Sequence, residues 1–129
     1  MTETKLKHLE FVQATIGRLA QNSFAYKGWA ITVVGGIVAL SAISNQSTLA
    51  AYVALIAFWF LDAHVLRLER FYRCLYDQVV ADRIDNLSMT VTSALLKGRT
   101  SIIRCATSLT MLVLYGGLAL TLAVRITLK

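Results

Sequence analysis

The chain has 129 residues, of which 57% are hydrophobic and 16% are charged. A soluble domain averages about half apolar and about a quarter charged residues, so the composition argues against an ordinary soluble domain and predicts a single membrane domain over residues 1–129. A buried core helix in a soluble bundle is the alternative interpretation of its apolar segments. The net charge of +6 could indicate nucleic-acid binding, but in a membrane chain a basic excess more often reports orientation. We therefore expect a lipid bilayer, and no nucleic acid, as the partner of this chain.

The first predicted element is a helix over residues 4–24. One apolar stripe follows helical spacing through it: Leu9, Val12, Ile16 and Leu19. The stripe is of ordinary width, so packing on another helix is the better interpretation, and a position along the membrane surface is the alternative.

Two apolar segments follow this helix. Residues 28–44 contain no charged side chain and extend about 25 Å, close to the hydrocarbon thickness of about 30 Å. The short link over residues 45–48 makes the second span, residues 49–66, return antiparallel. Because neither proline nor glycine occurs between residues 48 and 82, the second span is predicted to continue into a cytosolic extension, residues 67–82, as one helix about 50 Å long.

The third predicted span, residues 105–124, is bounded by Arg104 and Arg125, and a shorter cytosolic helix is predicted over residues 87–97. The predicted fold is therefore all-α, an integral membrane helical protein with three transmembrane helices and a layer of cytosolic amphipathic helices. Three short amphipathic helices make a small core, and small cores usually need oligomerisation. A homo-oligomer is expected.

Lys and Arg residues are distributed unevenly around these spans. Eleven fall on one side and two on the other, and loops rich in Lys and Arg remain in the cytoplasm. The N-terminus is therefore predicted to be cytoplasmic and the C-terminus to be outside. The eleven are Lys5, Lys7, Arg18, Lys27, Arg67, Arg70, Arg73, Arg83, Lys97, Arg99 and Arg104, and the two are Arg125 and Lys129.

Asp62 and His64 lie where the second span is predicted to leave the bilayer. A carboxylate near this boundary costs much less free energy than one at the bilayer centre. Three cations are candidate partners for Asp62, namely Lys27, Arg67 and Arg104. We interpret such a pair as fixing how the helices enter the membrane, with gating or an ion path as the alternative. His64 could titrate near neutral pH, but a hydrogen-bonding anchor is the simpler interpretation.

Two pairs of adjacent glycines, Gly35-Gly36 and Gly116-Gly117, lie near the middle of the first and third spans. Glycine lets helix backbones approach closely, and Gly35 with Ala39 forms a repeat of small residues one helical turn apart. These residues predict helix–helix packing, with a hinge as the sharper alternative.

The sequence contains no recognisable catalytic constellation. Gly-rich phosphate loops, nucleophile motifs and paired carboxylates are absent from it, and one acid with one His does not make a metal site. Cys74 and Cys105 have neither metal nor redox spacing. We expect a protein that is not an enzyme, with no catalytic residue, no metal and no cofactor.

Two segments resemble a family of small bacterial membrane proteins, most of them uncharacterised. RLAQNSFAYKGWAITVV, residues 18–34, carries an NSF-x-x-KGW motif, and FWFLDAHVLRLERFYRCLYDQV, residues 58–79, carries LDA-x-x-LR-x-ER-x-[FY]R-x-LYD. The likeness covers about the first two-thirds of the chain, and His64-Val65 stands where the family has an aromatic pair. The motif positions are Asn22, Ser23, Lys27, Gly28, Trp29, Asp62, Arg67, Glu69, Arg70, Arg73, Tyr76 and Asp77.

This resemblance implies a protein of the bacterial inner membrane that is associated with antiviral defence loci, where small membrane subunits often act as pore-forming or membrane-disrupting effectors. Together with the paired glycines and the long second helix, it favours an oligomeric channel or pore. The alternative is a membrane anchor or adaptor that recruits a cytosolic protein. In that case a basic face would bind the partner or anionic headgroups: Arg67, Arg70, Arg73 and Arg83.

Overall fold

A computed structural model of the protein describes residues 2–40, 47–81 and 101–128. These ranges contain four helices, α1 (Glu3–Leu40), α2 (Ser47–Val80), α3 (Ile102–Ala106) and α4 (Leu109–Thr127), and no strand. The predicted all-α fold is therefore confirmed for the described residues. The predicted helix over residues 87–97 lies outside them, as does Arg83.

Helix α1 unites two elements that the sequence analysis separated. The amphipathic helix over residues 4–24 and the first span, as far as Leu40, form one helix of 38 residues, about 57 Å long at 1.5 Å per residue. The physical reason is the lack of a residue that ends a helix: the chain contains no proline. Gly17 and Gly28 lie inside the helix, but a glycine costs a helix interior only about 1 kcal/mol relative to alanine.

Helix α2 runs without a break for 34 residues, as the sequence predicted for the second span and its extension. It packs antiparallel on α1, and the two form a long hairpin. The helix ends at Val80, slightly before the predicted end at residue 82, and Ala81 begins a turn.

The third predicted span, residues 105–124, has different bounds in the structure. Its first residues belong to the five-residue helix α3, and α4 begins only after a break at Thr107 and Ser108. Ser108 has an extended backbone, with φ −64° and ψ 148°, and the Thr107 hydroxyl donates to the Ile103 carbonyl at 2.9 Å. The Ser108 N–H donates to the Cys105 carbonyl, three residues earlier, at 3.2 Å, so the α-helical hydrogen-bond pattern stops at this point. An apolar average over the segment does not reveal this break.

Three of the helices are long and apolar enough to cross a membrane: α1, α2 from Thr48 onward, and α4. The predicted number of candidate spans is therefore confirmed. Their outer faces carry large apolar side chains, among them Ile31, Val53, Ile56, Phe60, Leu112, Val113 and Leu120. An apolar surface of this extent is unfavourable in water and is what a helix surrounded by lipid presents.

Two hydrophobic clusters hold the helices together. The larger one joins α1, α2 and α4 and includes Ala30, Val34, Ala51, Leu55, Ala63, Met111, Tyr115 and Leu122. The smaller one joins the first part of α1 to the last part of α2 and contains Leu9, Val12, Leu75 and Val79, with Ile16, Tyr72 and Tyr76 packed against it. The apolar stripe at the start of the chain therefore packs on the extension of the second span, as expected from its width.

Candidate functional site

A group of polar side chains is buried between the three long helices, and Asp62 of α2 lies at its centre. The carboxylate of Asp62 is fully buried, and its Oδ2 lies 2.7 Å from the Lys27 Nζ of α1. Ser23, also of α1, donates a short hydrogen bond to Asp62 Oδ1. The Lys27 ammonium further donates to the Ser23 Oγ at 2.6 Å. The ammonium thus contacts both the carboxylate and the hydroxyl.

Tyr115 adds α4 to this group. Its hydroxyl lies 3.3 Å from Asp62 Oδ2 and 3.3 Å from the Phe58 carbonyl oxygen. A phenol has one hydrogen to donate, so these two acceptors share it. We call Ser23, Lys27, Asp62 and Tyr115 the Asp62 cluster, which connects all three candidate spans through hydrogen bonds.

The spacing of residues on α1 explains how the Asp62 cluster forms. Ser23 and Lys27 are four residues apart and therefore lie on the same face of the helix, which α1 turns toward α2. A buried carboxylate is costly unless an opposite charge and hydrogen bonds compensate it. Asp62 has both, because one oxygen accepts from Ser23 and the other accepts from Lys27. The Lys27 side chain is 23% exposed, so it reaches from the edge of the bundle to the buried carboxylate of Asp62.

Of the three cations that were candidate partners for Asp62, one makes an ion pair with it in the structure. Lys27 makes the ion pair, whereas Arg67 and Arg104 are exposed and do not bond to the carboxylate. His64 is exposed on α2 and makes no hydrogen bond or ion pair with any residue that the structure describes. The reason is helical geometry: successive residues of α2 point about 100° apart, so the face that turns Asp62 inward turns His64 and Arg67 outward.

Two members of the Asp62 cluster were not singled out as site residues. Ser23 appeared in the first motif, and its position four residues before Lys27 placed both on one helix face. Tyr115 is the single tyrosine of the third apolar segment. A buried phenol needs a hydrogen-bond partner, and this requirement was the signal that could have linked it to Asp62.

The adjacent glycines do not pack as expected within the chain. Gly35, Gly36, Gly116 and Gly117 are exposed, and a Cβ atom added to any of them would meet no heavy atom within 4 Å. Ala39 is exposed as well. The described helices of one chain therefore leave these small residues open, with Gly116 in the lining of a groove between α2 and α4.

Charged side chains cover the last part of α2. Arg73 donates from Nε at 3.0 Å and from Nη2 at 2.6 Å to the Glu69 carboxylate, four residues earlier on the same helix. A cavity of about 330 Å³ lies beside this segment, and its described lining consists of Arg70, Arg73, Cys74, Asp77 and Arg104. Of the predicted basic face, Arg70 and Arg73 thus meet at one cavity, while Arg67 lies outside its lining.

Two further contacts fix α3 and α4. The Trp59 indole donates to the Ala106 carbonyl at 3.3 Å, which holds α3 against α2. Arg125 lies inside the last turn of α4 instead of beyond the span, and its guanidinium donates to the Val38 carbonyl at 2.5 Å. A cation near the C-terminal carbonyls of a helix is favourable, so this bond joins α4 to the end of α1 that is remote from Asp62.

Comparison of the chain with models of known protein families, with curated proteins and with solved structures finds no match. The resemblance described above therefore rests on the motif residues alone. The structure adds that the two motifs contact each other, since Ser23 and Lys27 of the first bond to Asp62 of the second. Within the described residues, no group of three potential metal ligands occurs.

Proposed function

We propose that this chain is a multi-pass protein of the bacterial inner membrane that assembles with copies of itself into a channel or pore. The observation that carries the proposal is the exposure of Gly35-Gly36 on α1 and of Gly116-Gly117 on α4, each with open space around it. Small residues on apolar helices are the surfaces through which membrane helices associate. Two different surfaces on one chain suit contact between α1 of one copy and α4 of the next, and such head-to-tail contacts can close into a ring.

The hairpin of α1 and α2 supports a channel that responds to a signal. Both helices run unbroken from the smaller hydrophobic cluster, around Val12 and Leu75, to the Asp62 cluster and beyond. Helices that do not bend transmit a displacement along their length. A ligand or protein that moved the cytosolic end of the hairpin would therefore tilt or rotate its membrane half.

The resemblance to proteins of antiviral defence loci extends the proposal to an effector that disrupts the membrane once activated. Expression of such an effector in its activated state depolarises the cell. A membrane-potential dye measures this directly, and it distinguishes an effector that opens a pore from one that only binds to the membrane.

Ion flux in liposomes that contain the purified protein tests the channel, and chemical cross-linking in the same liposomes tests the oligomer. We expect cross-linked oligomers and flux from the unaltered chain. Gly35→Ile and Gly116→Ile should abolish both, because a branched side chain prevents close approach of helices. Ala57→Ile is the matched control, since Ala57 is a small exposed residue of α2. An inert monomer in both detergent and lipid would contradict the proposal.

A membrane anchor or adaptor is the second candidate function, and it is favoured by the exposed cations on the last part of α2. Arg67 and Arg73 face outward there, where a soluble acidic protein can reach them if the predicted orientation holds. This function predicts that the purified chain retains a stoichiometric cytosolic protein and conducts no ions. Arg67→Glu should then release the partner.

A further inference from the structure

We propose that one face of α2, together with α3, binds a single anionic phospholipid, with the lipid phosphate held by arginines and one acyl chain lying in an adjacent apolar groove. This binding site goes beyond the proposed channel and would be present in a channel or in an anchor. Two neighbouring cavities carry the inference, one with arginines in its described lining and one with a nearly all-apolar described lining.

The first cavity, which we call the arginine cavity, has a volume of about 330 Å³. Three guanidinium groups and one carboxylate stand among its described lining: Arg70, Arg73, Arg104 and Asp77. Arg70 and Arg104 make no hydrogen bond or ion pair with any described residue, and Arg73 uses two of its N–H groups for Glu69. Guanidinium groups bind phosphate through paired hydrogen bonds, so the unused donors suit a phosphate ester.

The second cavity, which we call the Trp59 groove, has a volume of about 230 Å³. Its described lining is almost wholly apolar and comes from α2, α3 and the turn after it: Trp59, Phe60, Ala63, Ile102, Ile103, Ala106 and Thr107. Phe60 and Ile103 are 59% and 72% exposed, so the groove is open toward the surroundings of the bundle. An acyl chain matches this apolar surface.

The two cavities lie along the same face of α2. Trp59, Ala63, Arg70, Cys74 and Asp77 line them at spacings of three, four or seven residues, which place side chains on one side of a helix. Ala63 and Arg70 are separated by about 10 Å along the axis. The headgroup layer of one leaflet is about 5–8 Å thick, so a lipid can place its phosphate in the arginine cavity while its chain lies in the Trp59 groove.

Charge decides the class of lipid. The described lining of the arginine cavity holds three guanidiniums and one carboxylate, and Arg73 is also paired with Glu69. An excess of one positive charge remains among these described groups, which favours a headgroup with net negative charge over a zwitterionic one. A small soluble phosphate would occupy only this cavity and would leave the Trp59 groove unused. The paired cavities therefore favour the phospholipid over a free phosphate.

The position of Trp59 provides a direct test. The chain contains two tryptophans, so Trp29→Phe leaves Trp59 as the only one, and Trp29 is exposed and lies outside both cavities. We expect phosphatidylglycerol with brominated acyl chains, titrated into the purified protein in uncharged detergent, to quench Trp59 fluorescence at lower concentration than brominated phosphatidylcholine does. Glycerol 3-phosphate is the soluble arm, and it should not displace the brominated lipid.

Variants of the lining residues test the arrangement in the same titration. Arg70→Gln and Arg104→Gln should each weaken phosphatidylglycerol binding at least about tenfold, the loss expected for a hydrogen bond to a charged group. Asp77→Asn should strengthen binding, because it removes the one carboxylate of the described lining. Arg18→Gln is the matched control and should have no effect, since Arg18 is an exposed cation of α1 outside both cavities.

Several results would overturn the proposal. Equal quenching by the two brominated lipids would exclude charge selection, and an equal loss in Arg18→Gln would indicate attraction by the whole basic surface. Displacement by glycerol 3-phosphate would show a soluble phosphate as the occupant. Unchanged quenching by brominated phosphatidylcholine shows that a variant is still folded. A variant that loses its preference for phosphatidylglycerol but still conducts ions shows that the lipid site is separate from the channel.

Discussion

At the scale of single residues, the main feature of the protein interior is the buried carboxylate of Asp62. Its carboxylate is fully buried, yet hydrogen bonds reach it from α1 and from α4, and Lys27 supplies the opposite charge. A buried ion pair adds little net stability compared with apolar residues of the same shape, whereas a buried charge without its partner is strongly destabilising. The main effect of the Asp62 cluster is therefore to specify which faces of the three helices meet. Its contribution to their stability is smaller.

The first prediction concerns this pair. Lys27→Met should lower the free energy of unfolding by about 3–5 kcal/mol, because it leaves the Asp62 charge buried without a partner. The double variant Lys27→Met with Asp62→Asn should be less destabilised than Lys27→Met alone, since no charge then remains in the interior. Denaturant titration in mixed micelles, followed by circular dichroism, measures these differences.

The control for the ion pair is Asp77→Asn, another loss of a carboxylate on α2. Asp77 is exposed and makes no ion pair with a described residue, so this change should alter the free energy of unfolding by less than about 0.5 kcal/mol. A Lys27→Met protein as stable as the unaltered chain would show that Asp62 is not charged, or not buried, in the folded protein.

At the scale of elements, the hairpin of α1 and α2 is the largest feature of the molecule. Each of the two helices is continuous because the chain lacks proline. In addition, the apolar stripes of both helices continue from the candidate spans into the charged ends. Packing of these stripes on each other stabilises an amphipathic helix more than intrinsic propensity does. Glycines inside α1 are therefore tolerated, at a small cost.

The second prediction follows from that cost. Gly17 lies inside α1, is exposed and has no heavy atom within 4 Å of the position of an added Cβ atom. Gly17→Ala should therefore raise the free energy of unfolding by about 0.5–1 kcal/mol, because alanine loses less backbone entropy in a helix. Thermal unfolding in detergent, followed at a helix wavelength, provides the measurement.

Gly35→Ala is the informative comparison for this prediction. Gly35 has the same open space within one chain, so in a monomer it should respond as Gly17 does. If α1 contacts another copy at Gly35, the added methyl group should weaken cross-linking between copies while Gly17→Ala leaves it unchanged. A Gly17→Ala protein that unfolds more easily would contradict this prediction and would show that Gly17 contacts another segment or another copy of the chain.

At the scale of the whole molecule, three candidate spans alternate in direction, and the Lys and Arg residues concentrate at one end of the bundle. α2 runs against α1, and α4 runs parallel to α1, since Tyr115 lies near Asp62 and Arg125 lies near Val38. The start of α1 and the end of α4 therefore lie at opposite ends of the bundle. Segments rich in Lys and Arg remain in the cytoplasm, so the predicted orientation has the start of α1 inside and the end of α4 outside.

The third prediction tests this orientation with fused reporters. Alkaline phosphatase, which is active only outside the cytoplasm, should be active when fused after Lys129 and inactive when fused after residue 81. Green fluorescent protein fused at the same positions should give the opposite result and serves as the internal control. A C-terminal phosphatase fusion without activity, in a protein that is present in the membrane, would reverse or remove the proposed topology.

The amino-acid sequence by itself determined the all-α class, the three long apolar helices, the continuity of α2 and the packing of the first apolar stripe on another helix, although not which helix. These features follow from hydrophobic periodicity and from the absence of proline, which are local properties of the chain. Only the tertiary structure decided that Lys27 is the cation at Asp62, that Ser23 and Tyr115 complete the cluster, and that the adjacent glycines face outward. It also located the break at Thr107 and Ser108. These outcomes depend on which faces of separate helices meet and on where the hydrogen-bond pattern of one helix stops. Neither is expressed in the spacing of residues within a single segment.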